Sequence, residues 1–175
     1  MSAGNKLRPS DIEVYPLTAI DKESIKTFKC EKEEFNDYLY STAYEDDAKS
    51  VGKVFIFTTT EIKVIGFATL AMSQLSKHQH TELGRLTTHD HIPGVLIGEL
   101  ARHIDYQGRG LGILMRNWII NHALKISKEI GCRLIILQAV EDKIDLYKKW
   151  GFIPVSDFEE SGRYKMFIDL SWDKL

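Results

Sequence analysis

Residues 106–112, YQGRGLG, place three glycines and an arginine immediately ahead of a long stretch of periodic apolar residues. Glycine reaches positive φ and has no Cβ, so successive N–H groups in such a turn can converge on one anion. A helix starting just beyond it adds unpaired first-turn donors and the positive end of its dipole. A phosphate or diphosphate suits this arrangement; the alternative is a tight turn in which glycine only lets the chain reverse. The phosphate loop of nucleoside triphosphatases needs Lys and then Ser or Thr after its last glycine, whereas Gly112 is followed by Ile113 and Leu114. A dinucleotide fingerprint needs another glycine spacing than Gly108, Gly110, Gly112, and repeated parallel units that this chain lacks.

Other reactive side chains carry less. His78 and His80, and again His89 and His91, lie two residues apart, a spacing that on a strand presents both rings to one metal ion. No cysteine or acidic residue falls at a recognised zinc spacing, so they read as a solvated loop, with substrate-cleft lining as the special role, and no metal is expected. Cys30 and Cys132 read as small apolar fillers.

The elements that must position the turn are read from periodicity. DIEVYPLT reads as a short strand ending near Pro16, and KEEFNDYLYSTAYEDDAK as an amphipathic helix with Phe35, Tyr38, Leu39, Thr42 and Ala43 on its apolar face. KVFIFTTT and KVIGFATLAMSQL, joined through Glu61 and Ile62, read as an antiparallel hairpin. From Ser76 to Pro93 the apolar pattern lapses into a loop, with room for a short turn of helix. PGVLIGELARHI resumes as a strand. Beyond the glycine turn, Leu111, Leu114, Met115, Trp118, Ile119, Ala123, Ile126 and Ile130 recur at helical spacing until Gly131. CRLIILQAV reads as a doubly buried strand, DKIDLYKKWGF as a short helix carrying Ile144, Tyr147 and Trp150 on nearly one side, and RYKMFIDL as a last strand. The strand–helix–strand order from Ile92 to Ala139 calls for a parallel crossover beside the earlier hairpin.

The chain has 175 residues, 43% of them apolar, enough for one domain with a sizeable core. Its net charge of −2 offers no bulk attraction to nucleic acid or an anionic membrane. Two cysteines about a hundred positions apart suit a reducing compartment, and neither a signal peptide nor an apolar run of about 18 residues is evident, so a soluble cytoplasmic protein is expected.

Gln107, Arg109, Gly110 and Gly112 together resemble the pyrophosphate-binding motif of the GNAT superfamily of N-acetyltransferases. ELARHIDYQGRGLGILM is similar to that superfamily's fourth strand and following helix, RLIILQAV to its fifth strand, and LYKKWGFIP to its last helix and strand. The resemblance implies an α/β fold with a mixed, mostly antiparallel sheet, a splayed parallel strand pair and helices on both faces, as one acetyltransferase domain over residues 1–175. It implies acetyl-CoA as co-substrate, its diphosphate held by Gln107, Gly108, Arg109, Gly110, Leu111 and Gly112, and its pantetheine arm paired with the backbone of Leu100, Ala101 and Arg102. Tyr147 matches the tyrosine that protonates the departing coenzyme sulfur, with a packed aromatic as the alternative. Glu99 stands where relatives often use a carboxylate as general base, the alternative being a solvated or ion-paired strand residue.

TFKCEKEEFNDYLYSTA and IPGVLIGELA more loosely resemble the toxin-like branch, whose members acetylate aminoacyl-tRNA. That branch usually carries a basic residue where Glu99 stands, and a more basic surface. The resemblance implies a primary amine acceptor, an aminoacyl-tRNA among the candidates, with a toxin–antitoxin context and a homodimer. A small metabolite amine, a protein amine, or a non-catalytic acyl-CoA-binding role remain the alternatives.

Overall fold

β-Branched and aromatic residues fill the strands at the start of the sheet. In the computed structural model, which describes residues 5–155 and 162–171, Ile12–Pro16 (β1) pairs antiparallel with Lys53–Thr59 (β2), and β2 with Val64–Ser76 (β3). The β2–β3 turn closes with the Ile62 amide on the Thr59 carbonyl at 2.9 Å. Ile62 takes a φ of 61°, a left-handed conformation that a β-branched residue rarely adopts. His91–Arg102 (β4) and Leu134–Val140 (β5) form the parallel pair, in register from Gly94 opposite Leu134 to Ile97 opposite Leu137. β4 continues five residues past that ladder. Arg163–Asp169 (β7) pairs antiparallel with β5 and with the short strand Ile153–Pro154 (β6). The seven-stranded order is β1-β2-β3-β4-β5-β7-β6, the mixed, mostly antiparallel sheet expected of the sequence.

The described chain divides into two compact units interleaved in sequence. One holds the residues up to Ala71 with Gly98–Asn117; the other holds Met72–Ile97 with Trp118 onward. The first is built on Leu17, Phe28, Leu39, Ile56, Phe67 and Ala101, with Phe28 edge-on to Phe67 at 5.4 Å. The second is built on Leu75, Leu83, Ile92, Leu134, Ile136 and Phe167. Among the described residues no helix is long and apolar enough to cross a membrane.

Two expectations change and a third gains detail. The helix read over residues 32–49 is Glu33–Asp37 (α2), a π-turn over Tyr38–Thr42 and Ala43–Ala48 (α3), preceded by the separate short helix Lys22–Ile25 (α1). The π-turn inserts a residue into the helical repeat. The buried face therefore runs through Leu39, Ala43 and Asp47, and Thr42 faces solvent.

The segment after β3 is more ordered than its lapsed periodicity suggests. A 3-10 turn, Lys77–Gln79, leads into helix α4, Thr81–Leu86. The Ser76 hydroxyl accepts from the His78 amide at 3.3 Å, and the Glu82 amide donates to His80 Nδ1 at 3.1 Å. Leu83 is the one residue of α4 that is fully buried, too little apolar content to show as a pattern.

The long helix, Leu111–Ile126 (α5), stops a turn short of Gly131. Its last turn tightens through the Lys128 and Glu129 amides, which donate three residues back to Lys125 and Ile126. This rotates Ile130 off the buried face, leaving it 55% exposed.

Candidate active site

The exit from β4 is fixed by His103, which is buried. Its amide donates to the Ile65 carbonyl at 2.7 Å, and the Ile104 amide donates to the Lys29 carbonyl at 2.8 Å. Its ring Nδ1 accepts from the Asp105 amide at 3.2 Å, so Nε2 carries the proton and donates to the Thr27 carbonyl at 3.2 Å. The following 3-10 turn, Ile104–Tyr106, buries Tyr106 edge-on to the His103 ring. Gly66 allows the close approach of β3, β4 and α5 here: a Cβ on it would lie 3.0 Å from both the Ala101 carbonyl oxygen and Met115 Sδ.

Gly108 and Gly110 take φ of 73° and 80°, and a Cβ on either would meet nothing within 4 Å. The turn therefore combines left-handed backbone with open space where a Cβ would stand. The Gly110 carbonyl accepts from the Ile113 amide at 3.2 Å and the Leu114 amide at 3.4 Å, which starts α5. Leu111 and Met115 anchor the first turn in the core. No backbone carbonyl among the described residues accepts from the amides of Gly108 to Gly112. Arg109 sits over the Tyr106 ring, 4.6 Å from its centroid, and its Nε donates to the Asn5 carbonyl at 3.2 Å. Lys63 lies 5.5 Å from the same centroid. Amides without a backbone carbonyl partner, a helix N-terminus and the Arg109 cation thus lie together at this turn, while Lys63 Nζ also lies 3.9 Å from Asp105 Oδ2.

Leading into the turn, Glu99, Leu100 and Arg102 are half-buried on β4, and Ala101 is buried. In the same unit the Tyr38 hydroxyl lies 3.2 Å from Asp46 Oδ2 and 3.3 Å from Thr69 Oγ1. Burial pushes the Tyr38 phenol above its ordinary range, and the negative charges of Asp46 and Glu99 push it the same way. Glu99, Leu100, Ala101, Arg102 and Gln107 to Gly112 thus belong to one unit.

Tyr147 belongs to the other unit. It is half-buried on helix α6, Ile144–Lys149, edge-on to Trp150 at 5.4 Å and to Phe152 at 5.8 Å. Gly151, at φ 88°, ends the helix, and the Trp150 and Phe152 amides both donate to the Tyr147 carbonyl at 3.0 Å.

The remaining reactive groups have structural roles. His80 caps α4 and its ring packs on Phe167, while His78 lies 3.7 Å from Asp90. Both cysteines are free; burial raises the Cys132 thiol, keeping it protonated. Sequence reasoning assigned no role to Gly66, His103 or Tyr106. An isolated glycine inside an apolar strand was the one available signal, since it often marks close backbone approach.

Residues 17–152 match the acetyltransferase (GNAT) family. The chain belongs to that family. It is an N-acetyltransferase with acetyl-CoA as co-substrate and an amine as acceptor. It is 26% identical over 128 residues to a tRNA-acetylating toxin of Mycobacterium tuberculosis, spanning 73% of this chain and 76% of that protein. Its fold is similar to AtaT complexed with acetyl-methionyl-tRNAfMet, with a TM-score of 0.79 and 23% identity, over 91% of this chain and 95% of that one. It is also similar to AtaTR bound with AcCoA, with a TM-score of 0.73 and 23% identity, over 91% and 94% of the two chains.

Proposed function

We propose that this chain acetylates the α-amino group of an aminoacyl-tRNA, with the glycine turn gripping the diphosphate of acetyl-CoA. The observation that carries the coenzyme half is the turn itself, with open left-handed glycines, amides without carbonyl partners, and Arg109 at its edge. The acceptor half is supported by similarity to a tRNA-acetylating toxin and to AtaT in complex with a charged tRNA.

In this reading the backbone of Leu100, Ala101 and Arg102 pairs with the pantetheine arm as an added strand would. One of its amides stabilises the thioester oxygen as the amine attacks, a contribution of about 3 kcal/mol where such donors have been removed. Glu99 takes the proton released by the amine, and Tyr147 gives one to the departing thiolate. The tyrosine is matched to that task, because phenols ionise near pKa ~10 and thiols near ~8.5.

The net charge of −2 weighs against tRNA only as a bulk quantity. The same reading places the protein in the cytoplasm as a homodimer, neutralised by an antitoxin polypeptide.

The test is incubation with labelled acetyl-CoA and charged total tRNA. Label should appear in the aminoacyl-tRNA fraction and be released as N-acetyl amino acid on ester hydrolysis. Label in small amines or protein instead moves the acceptor to those classes. Coenzyme binding without transfer to any fraction reduces the chain to an acyl-CoA-binding module.

A further inference from the structure

The segment Asn5–Leu7 meets the glycine turn at Arg109 through two backbone groups of its own. The Leu7 amide donates to the Arg109 carbonyl at 3.0 Å. The Asn5 carbonyl accepts from Arg109 Nε at 3.2 Å. Three residues of chain, more than a hundred positions away in sequence, thus hold both the main chain and the side chain of Arg109.

The main-chain contact matters because the next residue is Gly110. In a trans peptide the carbonyl and the next amide point in opposite directions. Fixing the Arg109 carbonyl against Leu7 therefore fixes the direction of the Gly110 amide. Gly110 lies at φ 80° and a Cβ there would meet nothing within 4 Å, so no side chain on that residue resists a flip of that peptide. A flipped peptide would present a carbonyl dipole where an anion needs a donor. The side-chain contact acts alongside it. With Nε committed to Asn5 and Cζ held 4.6 Å over the Tyr106 ring, the fork that carries the Nη protons is restricted in orientation.

We propose that Asn5–Leu7 is a backbone strap that preorganises the Arg109–Gly110 peptide and the Arg109 guanidinium to receive a diphosphate. The inference rests on the coenzyme site proposed above. Ordering these groups before binding removes part of the cost of ordering them on binding. The strap is a positioning element and makes no contact with the reacting atoms, so its loss should weaken coenzyme affinity while leaving turnover at saturating acetyl-CoA in place.

The experiment measures coenzyme A binding by calorimetry on the full chain, on a chain lacking residues 1–7, and on Leu7→Pro, which removes the donating N–H and replaces the side chain. Thermal melts check that each is folded. Both altered chains should bind coenzyme A about tenfold more weakly and show a raised KM for acetyl-CoA with little change in kcat. Leu7→Ala, which retains the N–H, should recover most of the loss seen in Leu7→Pro. In an Arg109→Ala background, removal of residues 1–7 should cost less than it does alone, because one of the two held groups is already gone. Binding within twofold of the full chain in both the truncated form and Leu7→Pro overturns the strap. If Gly110→Asp and Arg109→Ala themselves bind normally, it is the coenzyme site that has been misplaced, and that outcome is separate from the first.

Discussion

The guanidinium of Arg109 lies 4.6 Å from the centroid of the Tyr106 ring, and that ring is itself buried edge-on to His103. A cation on the glycine turn is thereby seated on a platform belonging to the first unit's interior. Cation–π contacts of this kind contribute about 0.5–2 kcal/mol. Tyr106→Leu should raise the KM for acetyl-CoA several-fold with kcat little changed, and steady-state kinetics at fixed acceptor will measure it. Equal loss in both parameters would show that Tyr106 serves more than the coenzyme site.

Tyr147→Phe retains the ring and its edge contacts with Trp150 and Phe152 but removes the hydroxyl. A general acid of this kind supplies about 10²–10⁴-fold in rate. Coenzyme affinity should therefore stay near normal while kcat falls by about a hundredfold or more, as read by calorimetry beside single-turnover transfer. Unchanged transfer would leave Tyr147 as packing alone.

Gly110 separates backbone strain from charge. Gly110→Ala meets no neighbouring atom but carries a left-handed φ of 80°, costing about 1–2 kcal/mol of stability. Gly110→Asp adds a carboxylate beside the diphosphate and should abolish coenzyme binding. A melting curve and a binding titration on the two variants distinguish these effects; normal binding by the aspartate variant would contradict the site.

Asp47 is buried at the end of α3, where Oδ2 accepts from the Val54 amide at 3.0 Å and Oδ1 faces Lys53 Nζ at 3.2 Å. Val54 is fully buried, so Asp47→Ala strands its amide away from water. Such an orphan costs about 1–3 kcal/mol. Urea unfolding should show that loss with acetyl-CoA affinity retained.

His122 stacks on Trp118 at 4.8 Å, and burial, with Lys125 nearby, lowers its pKa below the ordinary histidine value. The unfolded chain then binds the proton more readily than the folded one. The stability His122 contributes is present above the unfolded pKa, about 6.5, and is lost as pH falls through the lower folded value. Denaturation midpoints taken from pH 7.5 to 5 should decline less steeply in His122→Phe than in the original chain, with Trp118 fluorescence reporting locally.

Local chemistry was legible in the order of residues alone. β-Branched and aromatic runs marked β2 and β3, a continuous apolar run marked β5, helical spacing marked α5, and the glycines of residues 106–112 marked the turn, because each signal lies within a few neighbouring residues. The π-turn at Tyr38–Thr42, the early end of α5 and the bounds and caps of α4 escaped, because each depends on where single hydrogen bonds fall rather than on a repeating pattern.

By itself the sequence determined the mixed sheet, the order of its motifs and the place of the glycine turn ahead of α5. Only the tertiary structure decided what holds that turn in shape: Asn5 and Leu7 on Arg109, Tyr106 beneath its guanidinium, and Gly66 where β3, β4 and α5 converge. Those contacts join residues far apart along the chain through backbone groups or a missing Cβ, which leave little trace in residue type, and folding alone brings them together.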